Sequence, residues 1–118
     1  MPWIVRDGKV LASAEVASTR PTRRKGLLGR DGIDGALVLR PAVQVHTVGM
    51  RFSIDVIWVD RDGRVLRIKC LGPRRVSRPV MHAAFVIEAE SGTAGRWGLQ
   101  IGDVLEVVDE KPEGATPA

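Results

Sequence analysis

The run Ile54-Asp55-Val56-Ile57-Trp58-Val59-Asp60 constrains this chain more than any other segment. It is apolar at almost every position, short, and rich in β-branched and aromatic side chains. Such a run is a strand covered on both faces, because an amphipathic strand would alternate. Arg61-Asp62-Gly63 follows as a tight turn, and Arg64 to Leu71 returns from it as the second arm of a hairpin. The fold must therefore place material on two sides of a sheet.

The remaining segments read mostly as further short strands. Trp3-Ile4-Val5-Arg6, the turn Asp7-Gly8, and Lys9 to Val16 form a second hairpin, since Asp-Gly supplies the positive φ angles that a two-residue turn requires. Gly35 to Leu39 is a strand stopped by Pro41, Val43 to His46 is another, and so is Ala83 to Ala89. A last strand covers Val104 to Val108. Two helical inserts interrupt the series. One starts at Thr19 or Arg20 with Pro21 in its first turn, ends near Gly29 and turns Leu27 and Leu28 inward. The other is a single turn within Ser91 to Gly98, capped by Ser91 or Thr93. Gly72 to Pro79 is a loop. Seven or eight short strands with one or two short helical inserts predict a mostly β fold, a single compact β-sandwich or partly open β-barrel. The domain is expected over 1–109, with 110–118 as a flexible polar tail.

The chain has 118 residues, 44% of them apolar, so it can bury a core without metal or disulfide support. Cys70 is the single cysteine and is read as a small buried residue of the returning strand. No apolar run approaches the ~20 residues that span a bilayer, and the first residues lack a signal-peptide pattern. The expectation is a cytoplasmic protein, exported if a leader was trimmed. Net charge is +4, with the basic residues concentrated in 1–30 and 61–80 and the acidic ones after 83. Along Arg64-Val65-Leu66-Arg67-Ile68-Lys69 the basic residues alternate with apolar ones, the pattern of a solvated sheet face.

The segment from His46 to Leu66, with Gly49-Met50-Arg51-Phe52, Ile54-Asp55-Val56 and the Asp60 to Gly63 turn, resembles the central signature of the domain of unknown function 192 family. Arg23-Arg24-Lys25-Gly26-Leu27-Leu28-Gly29-Arg30 is similar to that family's upstream segment, with Leu28 where Met is commoner. Phe85 to Ala89, Gly92 and Leu99 to Asp103 are similar to its closing segment. The three motifs keep their order and spacing across about residues 10–108. The resemblance implies a compact all-β fold with small helical inserts, in an uncharacterised bacterial and archaeal family with no established reaction. Gly98 to Val107 also resembles a turn of PDZ peptide-binding domains, but only about ten residues follow where those domains continue, so Gly102-Asp103 reads as turn chemistry.

Asp55 is the most informative candidate residue. A carboxylate inside an apolar strand needs a partner or a cavity. The partners within reach along the sequence are Arg51, Arg24, His46 and the backbone of the Thr47–Met50 loop. His46 is either a hydrogen-bonded residue at a strand end or a general base. Arg51 and the Arg20/Arg23/Arg24/Lys25 cluster could grip an anion, and Met50 could line a pocket. The leading expectation is a small-molecule or peptide-end binding module, taking an anionic ligand in a polar pocket built from His46, Met50, Arg51, Asp55 and Arg24. One alternative is a hydrolase or lyase using His46 with Asp55. A second is weak nucleic-acid binding through the Arg/Lys patches, disfavoured because aromatics are scarce. No metal-ligand spacing and no cofactor motif is present in the sequence.

Overall fold

The Asp7-Gly8 turn adopts φ of 52° and 75° and folds β1 (Trp3–Arg6) back on β2 (Lys9–Ala17), as the Asp-Gly pair predicts. The structure is a computed structural model that describes residues 1–112. After β2 come α1 (Arg20–Lys25), β3 (Ala36–Leu39), β4 (Ile54–Asp60), β5 (Val65–Leu71), β6 (Ala83–Glu90), α2 (Thr93–Arg96) and β7 (Glu106–Val108). The strands form one mixed sheet in the order β5-β4-β6-β3-β2-β1-β7. All neighbours are antiparallel except β2 and β3, whose parallel pairing requires the crossover that α1 occupies.

The apolar run of β4 lies near one end of this sheet, between β5 and β6, and both its faces are covered. Side chains alternate across it. Ile54, Val56 and Trp58 join a core with Leu37, Leu39, Val86, Leu27, Val45 and Met50. Ile57 and Val59 join a separate core with Val38, Ile87, Ala89, Ala94, Leu99 and Leu105. The first core is roofed by Leu27 and Leu28 at the exit of α1 and by the 41–50 segment, and the second by α2 and the chain that follows it. The fold is thus a curled mostly β sheet with short helical inserts on each side.

The sheet is not a closed barrel, but its ends meet at one corner. Arg64 and Val104 form an isolated bridge, the Val65 N–H donates to Asp103 O at 2.8 Å, and the Leu105 N–H donates to Gly63 O at 2.7 Å. Among the described residues no helix is long and apolar enough to cross a membrane.

Four local expectations need correction. Val43 to His46 is not a strand: it contributes one bridge, His46 with Val76, because the Ser77 hydroxyl takes the Val45 N–H at 3.0 Å in place of a backbone carbonyl. α1 stops at Gly26 (φ 46°) rather than Gly29. Neither Ser91 nor Thr93 caps α2; its N-cap is Gly92. Cys70 is exposed, on edge strand β5, with Sγ 3.2 Å from Ser91 Oγ. Of the expected tail, 113–118 lie outside the described residues, and Lys111 places its Nζ 5.4 Å from the Trp3 ring centroid.

Candidate functional site

The site begins with α1, whose sequence settles both its ends. Thr19 is the N-cap, and its hydroxyl accepts the Thr22 N–H while the Thr22 hydroxyl accepts the Thr19 N–H. Pro21 sits in the first turn, where its missing N–H costs nothing. Arg23, Arg24 and Lys25 fill the last turn, where cations suit the helix dipole. Gly26 then reverses the chain so that Leu27 turns into the core.

Opposite α1 runs the 41–50 segment, held by polar anchors rather than by a ladder. The Trp58 indole N–H donates to Val43 O at 3.0 Å. Thr47 is fully buried; its hydroxyl donates to Gly72 O at 2.6 Å and accepts the Arg75 N–H at 2.8 Å. These contacts tie the segment to the sheet and to the 72–80 loop.

Between the two lies a cavity of about 220 Å³. Arg23, Arg24, Lys25 and His46 contribute its basic groups, and Leu27, Leu28, Leu39, Val45 and Met50 its apolar ones. Among the described residues the one acid that lines it is Glu88 of β6. Glu88 is 3% exposed and is flanked across the sheet by Leu37 and Val56, both buried and apolar. Its carboxyl has no hydrogen-bond or ion-pair partner among the described residues, and its oxygens are not sealed from the cavity. Burial pushes this carboxyl up from 4.5 to about 7, because an ionised carboxylate loses its hydration there.

Three of the sequence-predicted residues, Arg24, His46 and Met50, line this cavity; Arg24 and His46 are exposed and Met50 is buried. Arg51 does not. It is exposed and pairs with Asp31 at 2.9 Å, an arrangement worth at most ~1 kcal/mol. Asp55 does not either. It is 6% exposed, and its Oδ2 accepts the N–H groups of Gly92 at 3.1 Å and Ala94 at 2.9 Å. None of its four expected partners is involved. Asp55 caps α2 from the sheet, on the same face as Ile57 and Val59, whereas the cavity opens on the face of Val56 and Glu88.

Glu88 escaped the sequence reading although its signal matches that of Asp55. It is a single carboxylate inside an apolar strand, Phe85-Val86-Ile87-Glu88-Ala89. Among the described residues no group of three or more His, Cys, Asp or Glu side chains gathers as metal ligands do.

A profile of the DUF192 family, described as Uncharacterized ACR, matches residues 3–107. Curated relatives called UPF0127 protein occur in Thermococcus gammatolerans (31% identical over 110 residues, 87% of this chain and 72% of the relative) and in Thermococcus sibiricus (30% over 118 residues, 94% and 77%). Two crystal structures share the fold. One is a protein of unknown function from Novosphingobium aromaticivorans, with TM-score 0.74, 21% identity and coverage of 89% of this chain and 82% of that one. The other, from Sinorhizobium meliloti, is described as a "putative transcription regulator", with TM-score 0.75, 22% identity and coverage of 90% and 91%.

Proposed function

The chain belongs to the domain of unknown function 192 family, and from that premise we propose that the cavity beneath α1 binds a small organic molecule carrying an anionic group. One observation carries the reading: a basic rim and a buried carboxyl, unpartnered among the described residues, share a single apolar-walled hollow. Arg24 offers a planar donor fork that fits both oxygens of a carboxylate or phosphate, and Arg23, whose Nη1 donates to Ser18 O at 2.8 Å, offers its remaining N–H groups. Leu27, Leu28, Leu39, Val45 and Met50 offer a surface for the ligand's apolar body.

An enzymatic use of the same cavity would rest on Glu88 and His46 rather than on His46 with Asp55, since only the first pair lines it. The nucleic-acid alternative rests on the exposed Arg20, Arg24 and Lys25 of α1; the regulator description belongs to the Sinorhizobium protein. It predicts binding that weakens steeply with salt.

The test is a thermal-shift screen of small carboxylates and phosphates against wild type, Arg24→Ala and Arg51→Ala. Hits that stabilise wild type should keep their effect in Arg51→Ala and lose it in Arg24→Ala. Equal stabilisation of all three proteins by every hit, or no hit at all, overturns the reading.

A further inference from the structure

We propose that the ligand of this cavity is a small zwitterion, with its ammonium against Glu88 and its carboxylate against the Arg23/Arg24/Lys25 rim. The inference rests on the binding reading above and deepens it by naming the ligand class.

The argument starts from what surrounds Glu88. Its strand neighbours on either side, Leu37 of β3 and Val56 of β4, carry no charge. The charged groups that share the cavity are Arg23, Arg24 and Lys25 from α1 and His46 from the 41–50 segment, and none of them forms an ion pair or hydrogen bond with it. A carbon added to Gly26 would stand 3.8 Å from Glu88 Oε1, so the carboxyl lies directly under the exit of α1. Among the described residues this buried acid is thus held without a companion while four basic side chains line the same cavity.

Folding has already stripped water from this carboxyl, which is the main cost of forming a buried ion pair. A ligand that brings an ammonium gains the attraction without having to dehydrate Glu88 again. A second anion at the same spot would meet repulsion whenever Glu88 is ionised. The floor therefore selects a cation and the rim selects an anion. The size agrees: 220 Å³ holds about seven waters at liquid density, the bulk of a free amino acid.

The experiment is isothermal titration calorimetry on the full chain with leucine, γ-aminobutyrate and ε-aminocaproate. Each is compared with its counterpart lacking the ammonium (4-methylpentanoate, butyrate and caproate, in that order) or the carboxylate (3-methylbutylamine, propylamine and pentylamine). At least one zwitterion should bind wild type roughly tenfold more tightly than its singly charged counterparts. Near pH 6 its binding should release protons, read as an enthalpy that changes with buffer ionisation heat, because the ammonium drives Glu88 to its ionised form. In Glu88→Gln the tenfold preference and the proton release should both vanish, while caproate binds at least as well as before. Circular dichroism checks that this variant folds, and Arg24→Ala, which leaves the floor intact, should weaken zwitterion and caproate alike. Caproate binding as tightly as ε-aminocaproate overturns the zwitterion and leaves the binding reading standing, as do hits in the thermal-shift screen when none of the three zwitterions binds in the calorimetry. No binding in either experiment overturns both.

Discussion

The Asp55 carboxylate accepts the backbone N–H of Ala94, 39 residues further along the chain, at 2.9 Å. With the Gly92 bond it closes the first turn of α2, a helix of four residues that has no side-chain cap of its own. A helix this short cannot hold itself in water, so the sheet supplies the acceptor. Charge-assisted bonds are each worth about 1.5–3 kcal/mol. Asp55→Ala should therefore lower stability by about 3 kcal/mol, and Asp55→Asn, which keeps an acceptor oxygen, by about 1 kcal/mol. Urea denaturation at neutral pH measures both. Binding to the cavity should be unchanged in the folded fraction of either variant.

Glu88 works in the opposite sense. Its carboxyl ionises near 4.5 in the unfolded chain and at about 7 in the folded one. Between these values the folded state holds more protons, so stability from this group is fully present below about pH 4.5 and is lost as pH rises through 7. Glu88→Gln removes the titration. The variant should match wild type near pH 4.5 and exceed it by about 3 kcal/mol at pH 8, since every tenfold change in proton affinity between the two states is about 1.4 kcal/mol. Denaturation midpoints across that range give the answer; a constant difference between the proteins refutes it.

Thr47 should be a third sensitive position. Thr47→Val keeps the shape and removes the hydroxyl that bridges Gly72 O and the Arg75 N–H. The loss of a buried acceptor is expected to cost about 1–3 kcal/mol. Hydrogen exchange at the Arg75 amide should accelerate more than at amides of β4. Because Thr47 anchors the 41–50 segment, ligand affinity should fall with it.

Gly63 separates crowding from backbone conformation. It has φ of 89°, and a Cβ there would collide with the carbonyl oxygen of Leu105. Gly63→Ala should destabilise by about 3 kcal/mol, combining backbone strain with displaced packing. Gly8 has φ of 75° but open space around it. Gly8→Ala should cost only about 1 kcal/mol. Thermal unfolding of the two variants side by side tests the contrast.

Local chemistry makes much of this fold legible. Asp7-Gly8 announces its hairpin, Thr19 with Pro21 announces α1, and the β4 run announces a strand covered on both sides. Each depends on neighbours within a few positions. The parallel pairing of β2 with β3 is not legible in the same way, because no short-range pattern encodes a crossover partner. Asp55 illustrates the boundary well. Its need for donors follows from its place in an apolar run, but the donors themselves arrive 37 and 39 residues later. The same rule applied to Glu88 draws attention to it as well. For the candidate site, sequence proximity to Gly49 joins Arg51 and Asp55 to His46 and Met50, yet strand alternation sends Asp55 to the other face, and Arg51, in the loop before β4, pairs with Asp31 in solvent.

The placement of β1 between β2 and β7 has a consequence for synthesis. During translation the β1–β2 hairpin can close early, since its turn is local. The outer flank of β1 must wait for Glu106 to Val108, so a nascent chain presents a naked hydrogen-bonding edge through most of its production. Slow elongation or premature truncation before that point should thus expose newborn chains to edge-to-edge association, a hazard that seating β7 reduces by replacing the flank of β1 with an edge of only three residues.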